Sequence, residues 1–318
     1  MNKPSRVSTF FRQTFSALKY SNYRLWFGGQ TVSLFGTLMQ RTAQAYLIFD
    51  LTKSPLYLGY VGFAYGVPSW LFMLYGGAIA DRFPRRNILL MAQIAMMILA
   101  FILAGLTFTQ LVQPWQIIVL AFLLGCANAF DAPARQAFVT ELVDRRDLTN
   151  AIALNSSMIN AATVIGPAVA GITYAAFGPA WCFTINGITF IAVIVALLLM
   201  KLAPFQPVEK TVSIFRDIRA GLQFVARTPI IRTLIVNLGI LSLAGLGFVT
   251  LLPVWAVDVL GGDATTNGFL HTARGLGALS GALLIAAIGQ SYSKGRLFTI
   301  ATFVMPLFLF LLSFTKIL

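Results

Sequence analysis

Within one stretch, Gly77-Ala78-Ile79-Ala80-Asp81-Arg82-Phe83-Pro84-Arg85-Arg86, three arginines and one carboxylate follow a long apolar run. Charges at such a place are costly unless each finds a partner. Gly77 would let a second helix approach closely. Asp81 ends the run, and Arg85 lies four residues on, within its reach if the helix continues; Pro84 turns the chain instead. Taken by its residues alone, the run reads as a topology anchor with one helix-end charge pair. Asp131 and Arg135 repeat the i,i+4 spacing inside a later apolar run, which by spacing alone reads as a self-satisfied pair near the inner interface.

Other polar groups interrupt the apolar runs. Arg41 lies several residues from a run's end, where an ionised side chain costs a few kcal/mol on insertion scales. It must therefore face a watery cavity, snorkel outward or pair with Asp50. His271, the only histidine, and Arg274 stand three residues apart on one helical face. Asn128, Asn155, Asn160, Asn186 and Asn237 are further groups that line a path or tie helices together. Arg41, Asn128, Asn155, His271 and Arg274 are the candidate cavity and substrate residues. Membrane enzymes need clustered carboxylates, metal-binding histidines or an activated nucleophile, and the chain has no DDxxD-like pair, no GxSxG and no Walker motif. No catalytic residue, metal or cofactor is expected. Cys126 and Cys182 lie in apolar runs without a CxxC or a histidine partner, which reads as packing.

The elements that must hold these groups follow from composition. Of 318 residues, 58% are apolar and 10% charged, and mean hydropathy is +0.81. Soluble domains run at about 45–50% apolar and about 25% charged, so the chain belongs in lipid. Crossing the hydrocarbon takes about 20 apolar residues. Nine runs qualify, at 25–48, 56–80, 87–109, 115–138, 150–176, 180–200, 231–257, 267–289 and 297–315, too continuous for barrel strands. The expected fold is an all-α, polytopic transmembrane helix bundle. A signal-peptide reading around Ala43-Gln44-Ala45 fails because the preceding run is too long and contains Arg41.

The net charge of +13 would suit a nucleic-acid binder, but position decides against it. With the amino terminus in the cytoplasm, 18 of the 23 lysines and arginines fall in inner segments, as the positive-inside rule requires. The layout becomes a cytoplasmic tail (1–24), a six-helix bundle (25–200), a cytoplasmic linker (201–230) and about three more helices (231–318). In the linker Ile214, Phe215, Ile218, Leu222 and Val225 recur at helical spacing while Arg216, Asp217, Arg219, Gln223 and Arg227 face away, an amphipathic helix along the inner surface or a plain spacer.

The Gly77–Arg86 run resembles the signature between the second and third helices of the major facilitator superfamily, with Pro84 where that signature usually has Gly. Gln40, Leu51-Thr52, Ser54, Leu58-Gly59, Pro68, Asp131-Ala132-Pro133-Ala134-Arg135, Leu142-Val143 and Ile165-Gly166-Pro167 with Gly171 resemble the exporter branch that holds bacterial siderophore and macrolide efflux proteins. The resemblance covers residues 20–200. It implies twelve helices in two halves, so that about three helices beyond Leu318 are expected, and alternating access about a midplane site. Gly77, Asp81, Arg82, Arg85, Arg86, Asp131 and Arg135 would form a cytoplasmic latch. Gly166, Pro167 and Gly171 resemble the antiporter bend of such exporters, with Ala153, Ala162 and Ala170 where glycine is common. Position 121 is Ala where many proton-coupled members have Arg, and the first span lacks their acid, so proton coupling rests on the superfamily alone.

The implied function is secondary export of a small organic molecule, coupled to H+, by a monomer in the bacterial inner membrane. Its partners would be the bilayer, the small-molecule substrate and the coupling ion, with no nucleic acid. An importer is the alternative, and a channel or receptor would need neither the basic latch nor two halves.

Overall fold

The computed structural model describes residues 15–202, 214–288, 299–300, 302–304, 306–308 and 310. Among them no strand occurs. The helices are α1 (Ser21–Thr52), α2 (Pro55–Ala80), α3 (Arg85–Phe108), α4 (Pro114–Leu142), α5 (Leu148–Phe177), α6 (Pro179–Leu199), α7 (Ile214–Arg227), α8 (Pro229–Thr250) and α9 (Ala264–Ile288). They cover the first eight expected spans and the linker helix; the ninth run lies largely outside the described residues. The seventh expected span is shorter than predicted. Pro253 has no N–H to donate, and α8 gives way at Leu251 to a short turn and a wide π-helical turn over Trp255–Val259.

Local chemistry explains the ends. Four helices begin with proline at the first turn (Pro55, Pro114, Pro179 and Pro229), where the missing N–H costs nothing. Lys53 (φ 49°) and Gly178 (φ 86°) turn the chain sharply after α1 and α5. Asp263 precedes α9, and its Oδ1 accepts from the backbone N–H groups of Thr265 at 2.9 Å and Thr266 at 3.0 Å. Those N–H groups, Thr266 foremost, hold the Asp263 carboxyl below the usual range. Its contribution is therefore present above the unfolded carboxyl's pKa, near pH 4, and fades as pH falls through the lower folded value. Asp263→Ala should cost about 1 kcal/mol at neutral pH. A melting series should show the gap between variant and wild type closing in acid.

α2, α3, α4, the stretch Arg145–Phe177 and α6 are each long and apolar enough to cross a membrane. α2 lies along α4; α1 packs on α6 and α5; α3 packs on α6 and α4; α9 covers α5. One core cluster joins Tyr23, Trp26, Leu89, Phe138 and Leu197 near the basic end of the bundle. A second joins Ile48, Phe49, Leu103, Ile117 and Phe183 near the other end. The outer surface is also apolar: on α2, Trp70 and Phe63 are 79% and 71% exposed. Exposed large apolar side chains on this scale are what lipid covers.

Proline and glycine explain how closely the helices approach. Pro133 lies inside α4 and cannot donate to the carbonyl of Ala129, four residues back. Gly76 of α2 rests against that carbonyl, so that a Cβ there would collide with it. The pattern recurs between α5 and α9. Pro167 cannot donate to Thr163, and a Cβ on Gly275 would stand 2.8 Å from the Thr163 carbonyl oxygen. The tight contact expected of Gly77 falls to its neighbour; Gly77 has only the Pro133 ring near, at 4.0 Å.

Candidate functional site

The basic end of the bundle is organised by Arg85, the first residue of α3. Its Nε donates to the Ala80 carbonyl at 3.2 Å, and its Nη1 donates to the Ala137 carbonyl at 3.2 Å and to Glu141 Oε1 at 2.7 Å. Ala80 is the last residue of α2, where carbonyls are unpaired and the helix dipole is negative; Ala137 lies about a turn and a half before the end of α4, and its carbonyl also accepts from Thr140 Oγ1 at 2.7 Å. One guanidinium thus ties three helices. Asp81 Oδ1 is 3.9 Å from Arg85 Nη2, a looser pair although the helix breaks at Pro84. Arg86 Nη2 donates to the Leu198 carbonyl of α6 at 2.9 Å. Arg82 sits in the turn, its N–H on the Ile79 carbonyl.

Asp131 does not reach this cluster. It is buried one helical turn from Arg135, with Oδ2 3.3 Å from Arg135 Nε, and Oδ1 accepts from Gln93 Nε2 of α3 at 2.8 Å. The acid that meets Arg85 is Glu141, which sequence reasoning passed over. It is the one acid in the last two turns of α4, and that position is the signal that could have found it.

A second tie gathers the chain ahead of α1. Ala17 N–H donates to Asn150 Oδ1 at 2.9 Å, Lys19 Nζ stands 2.6 Å from Asp147 Oδ2, and the Tyr23 hydroxyl donates to the Ala151 carbonyl at 2.9 Å. These contacts bind the start of α1 to the start of α5, across more than 120 residues of sequence.

Deeper in the bundle, Arg41 stays exposed. Its guanidinium hydrogen-bonds the Tyr65 hydroxyl and lies 4.4 Å from the centre of that ring. Pairing with Asp50, one of the three expectations, does not occur: Asp50 Oδ1 is held by Lys53 Nζ at 2.6 Å. Tyr65 carried no signal, since only the packing of α2 beside α1 brings the two residues together. Asn128 and Asn155 are half-buried on α4 and α5. Asn186 instead ties helices, donating to Gln40 Oε1 at 2.7 Å, and Asn237 bonds its own helix at the Thr233 carbonyl. Cys182 is buried, its Sγ 3.7 Å from the Ala170 carbonyl.

The bend in α5 is a packing surface on two sides. A Cβ on Gly166 would stand 2.9 Å from Leu38 Cβ of α1, and one on Gly171 2.9 Å from the Ala264 carbonyl oxygen of α9. Gly268 lies on the Pro167 carbonyl, and Thr272 Oγ1 donates to the Val164 carbonyl at 2.9 Å. His271 and Arg274 part company here: His271 is buried and Arg274 is exposed. His271 Nε2 and, one turn earlier, Asn267 Oδ1 are buried with no hydrogen-bond partner among the described residues. Those residues hold no cluster of metal-binding side chains.

A family model described as transmembrane secretion effector, of the major facilitator type, matches residues 12–318. The chain belongs to the major facilitator superfamily. Its relatives include the staphyloferrin A transporter of Staphylococcus aureus, 25% identical over 292 residues covering 88% of this chain and 71% of that protein. The enterobactin exporter EntS of Shigella flexneri is 30% identical over 236 residues, covering 72% and 54%. Macrolide efflux protein A of Streptococcus pyogenes is 21% identical over 293 residues, covering 90% and 72%.

Among solved structures, a bacterial homolog to the human lysosomal transporter Spinster superposes with a TM-score of 0.63 at 16% identity. That match covers 85% of this chain and 64% of the other, and it shows the shared fold. The chain thus spans between about half and three-quarters of the proteins it matches. It is a multi-pass membrane protein of a transporter family, and that family's members are transporters and not enzymes.

Proposed function

We propose that this major facilitator protein exports a small organic molecule by alternating access. The observation that carries the reading is Arg41, an ionised side chain left exposed deep in a bundle whose surroundings are apolar. A charge in that place is retained where it meets water or a polar solute. The relatives named for staphyloferrin A, enterobactin and macrolides make siderophores and drugs the first solutes to try.

Arg85 serves as the latch in this proposal. It joins the ends of α2, α3 and α4 in one state and releases them in the other, while the glycine-lined contact of α5 with α9 gives the surface along which the halves rock. The coupling ion is H+, the protein acts as a monomer in the bacterial cytoplasmic membrane, and the amino terminus with the Gly77–Arg86 turn faces the cytoplasm.

The test is counterflow in proteoliposomes carrying the complete protein, screened with siderophores and cationic drugs under an imposed pH gradient. Protein-dependent accumulation of one class, abolished when the gradient collapses, is the expected result. Absence of flux for every solute would overturn the export reading, and flux insensitive to the gradient would remove the proton.

A further inference from the structure

We infer that His271 is the residue that takes up the coupling proton, and that its charging parts α9 from α5. The inference rests on the export reading and names the side chain on which its coupled ion is carried.

His271 lies on the face of α9 that meets α5. Gly268 and Gly275, three residues before it and four after, share that face by helical spacing, and both rest on α5 backbone. A Cβ on Gly268 would stand 2.6 Å from the Pro167 carbonyl oxygen, and one on Gly275 2.8 Å from that of Thr163. Thr272, the next residue, donates its Oγ1 hydroxyl to the Val164 carbonyl at 2.9 Å. Within this seam the His271 side chain is 8% exposed, and its Nε2 has no hydrogen-bond partner among the described residues. Asn267, one turn earlier and 1% exposed, leaves its Oδ1 equally unmet. Two buried polar atoms without partners make the sealed seam costly to hold.

The neighbouring elements do not supply the missing partner. α9 packs against α5, α1 and the turns that follow α8. Their titratable groups are Tyr174 on α5, Arg41, Tyr46 and Asp50 on the second half of α1, and Asp258 in the turns; none of them hydrogen-bonds His271 Nε2. Asp50 is held by Lys53, and the Tyr46 and Tyr174 rings lie against each other. On the chain of α9 itself, Asp263 caps the helix start and Arg274 is a cation.

A neutral imidazole carries one N–H and one lone pair, whereas the protonated ring carries two N–H donors and a charge. In the sealed seam the second N–H finds no acceptor and the charge no counter-ion, an expensive combination in an apolar setting. When α9 moves off α5, water reaches both Nε2 and Asn267 Oδ1, and the ring nitrogen takes a proton from that water. It returns the proton when the seam seals. A ligand that binds one conformation pulls the equilibrium toward it, so acid favours the parted seam, and the sealed one is regained as pH rises. An exposed imidazole titrates at about pH 6.5, which suits a site driven by a transmembrane pH difference.

The experiment follows the seam and the proton separately in the complete protein. Spin labels at Ile172 and Phe269, which are 55% and 56% exposed on α5 and α9, report the spacing of the two helices. The background carries serine at Cys126 and Cys182, which are free thiols. From about pH 8 to about pH 5, either side of the imidazole's ordinary range, the longer spacing should gain about fivefold or more in population in wild type and stay constant in His271→Gln. The imidazole NMR signal that is lost in His271→Gln should pass from the neutral to the charged form over the same interval. Should His271→Gln fail to fold, His271→Asn, equally unable to take a proton, replaces it.

A wild-type spacing that ignores pH would overturn the site with no variant at all. An equal response in His271→Gln, or an imidazole charged throughout the interval, would overturn it too. In proteoliposomes, gradient-driven flux retained in full by His271→Gln would overturn the assignment and leave proton-coupled export standing. Absence of flux for every solute, with the His271-dependent opening intact, would remove export and leave the proton site in place.

Discussion

Arg85→Gln is expected to slow transport about tenfold while leaving membrane insertion intact, the size of a coupling energy of about 1–3 kcal/mol between two conformations. The side chain holds one carbonyl from each of α2 and α4 and Glu141 at once, and glutamine cannot span all three. Glu141→Gln should act in the same direction and by less, because Arg85 keeps its two carbonyls. An exposed ion pair by itself contributes about 0–1 kcal/mol; this pair is partly covered and anchored at both ends. In a double-mutant cycle on transport rate, Arg85→Gln in the Glu141→Gln background should cost less than in wild type. Fully additive effects would show that the two residues act separately, and wild-type transport in Arg85→Gln would remove the latch.

The second large effect is on folding. Gly76→Ala places a Cβ against the Ala129 carbonyl of a neighbouring helix, where backbone and not a flexible side chain must yield. Overpacking of this kind costs about 1–3 kcal/mol. Gly77→Ala, one residue on, meets nothing closer than 4.0 Å and should leave the melting temperature unchanged. Gly275→Ala and Gly277→Ala form a matching pair on α9: the first meets the Thr163 carbonyl at 2.8 Å, the second meets nothing within 4 Å. A thermal unfolding series on the four variants in detergent separates close helix contact from the general effect of losing a glycine. Equal melting temperatures across all four would refute the proline–glycine account of the packing.

Much of this molecule was legible before any coordinates. Lipid as the medium, helices as the elements and the approximate extent of most of them followed from run length and hydropathy. Those are local quantities, since a helix satisfies its own backbone and needs no partner to cross a membrane. The basic turn after α2 was visible for the same reason, as three arginines within five residues.

Pairing was a different matter. Which acid meets Arg85, which glycine takes the close contact and what holds Arg41 depend on the rotation and axial offset of one helix against another. A shift of one residue turns a side chain by about 100° around its helix, as 3.6 residues per turn requires, so adjacent candidates such as Gly76 and Gly77 face different neighbours. Asp131 and Glu141 stand on one helix, yet one meets Gln93 and the other Arg85. Sequence alone determined that charged and small residues had to be accommodated within apolar helices. The tertiary structure decided their partners, because a contact between helices is set by packing across the bundle and leaves no period in either strand of sequence.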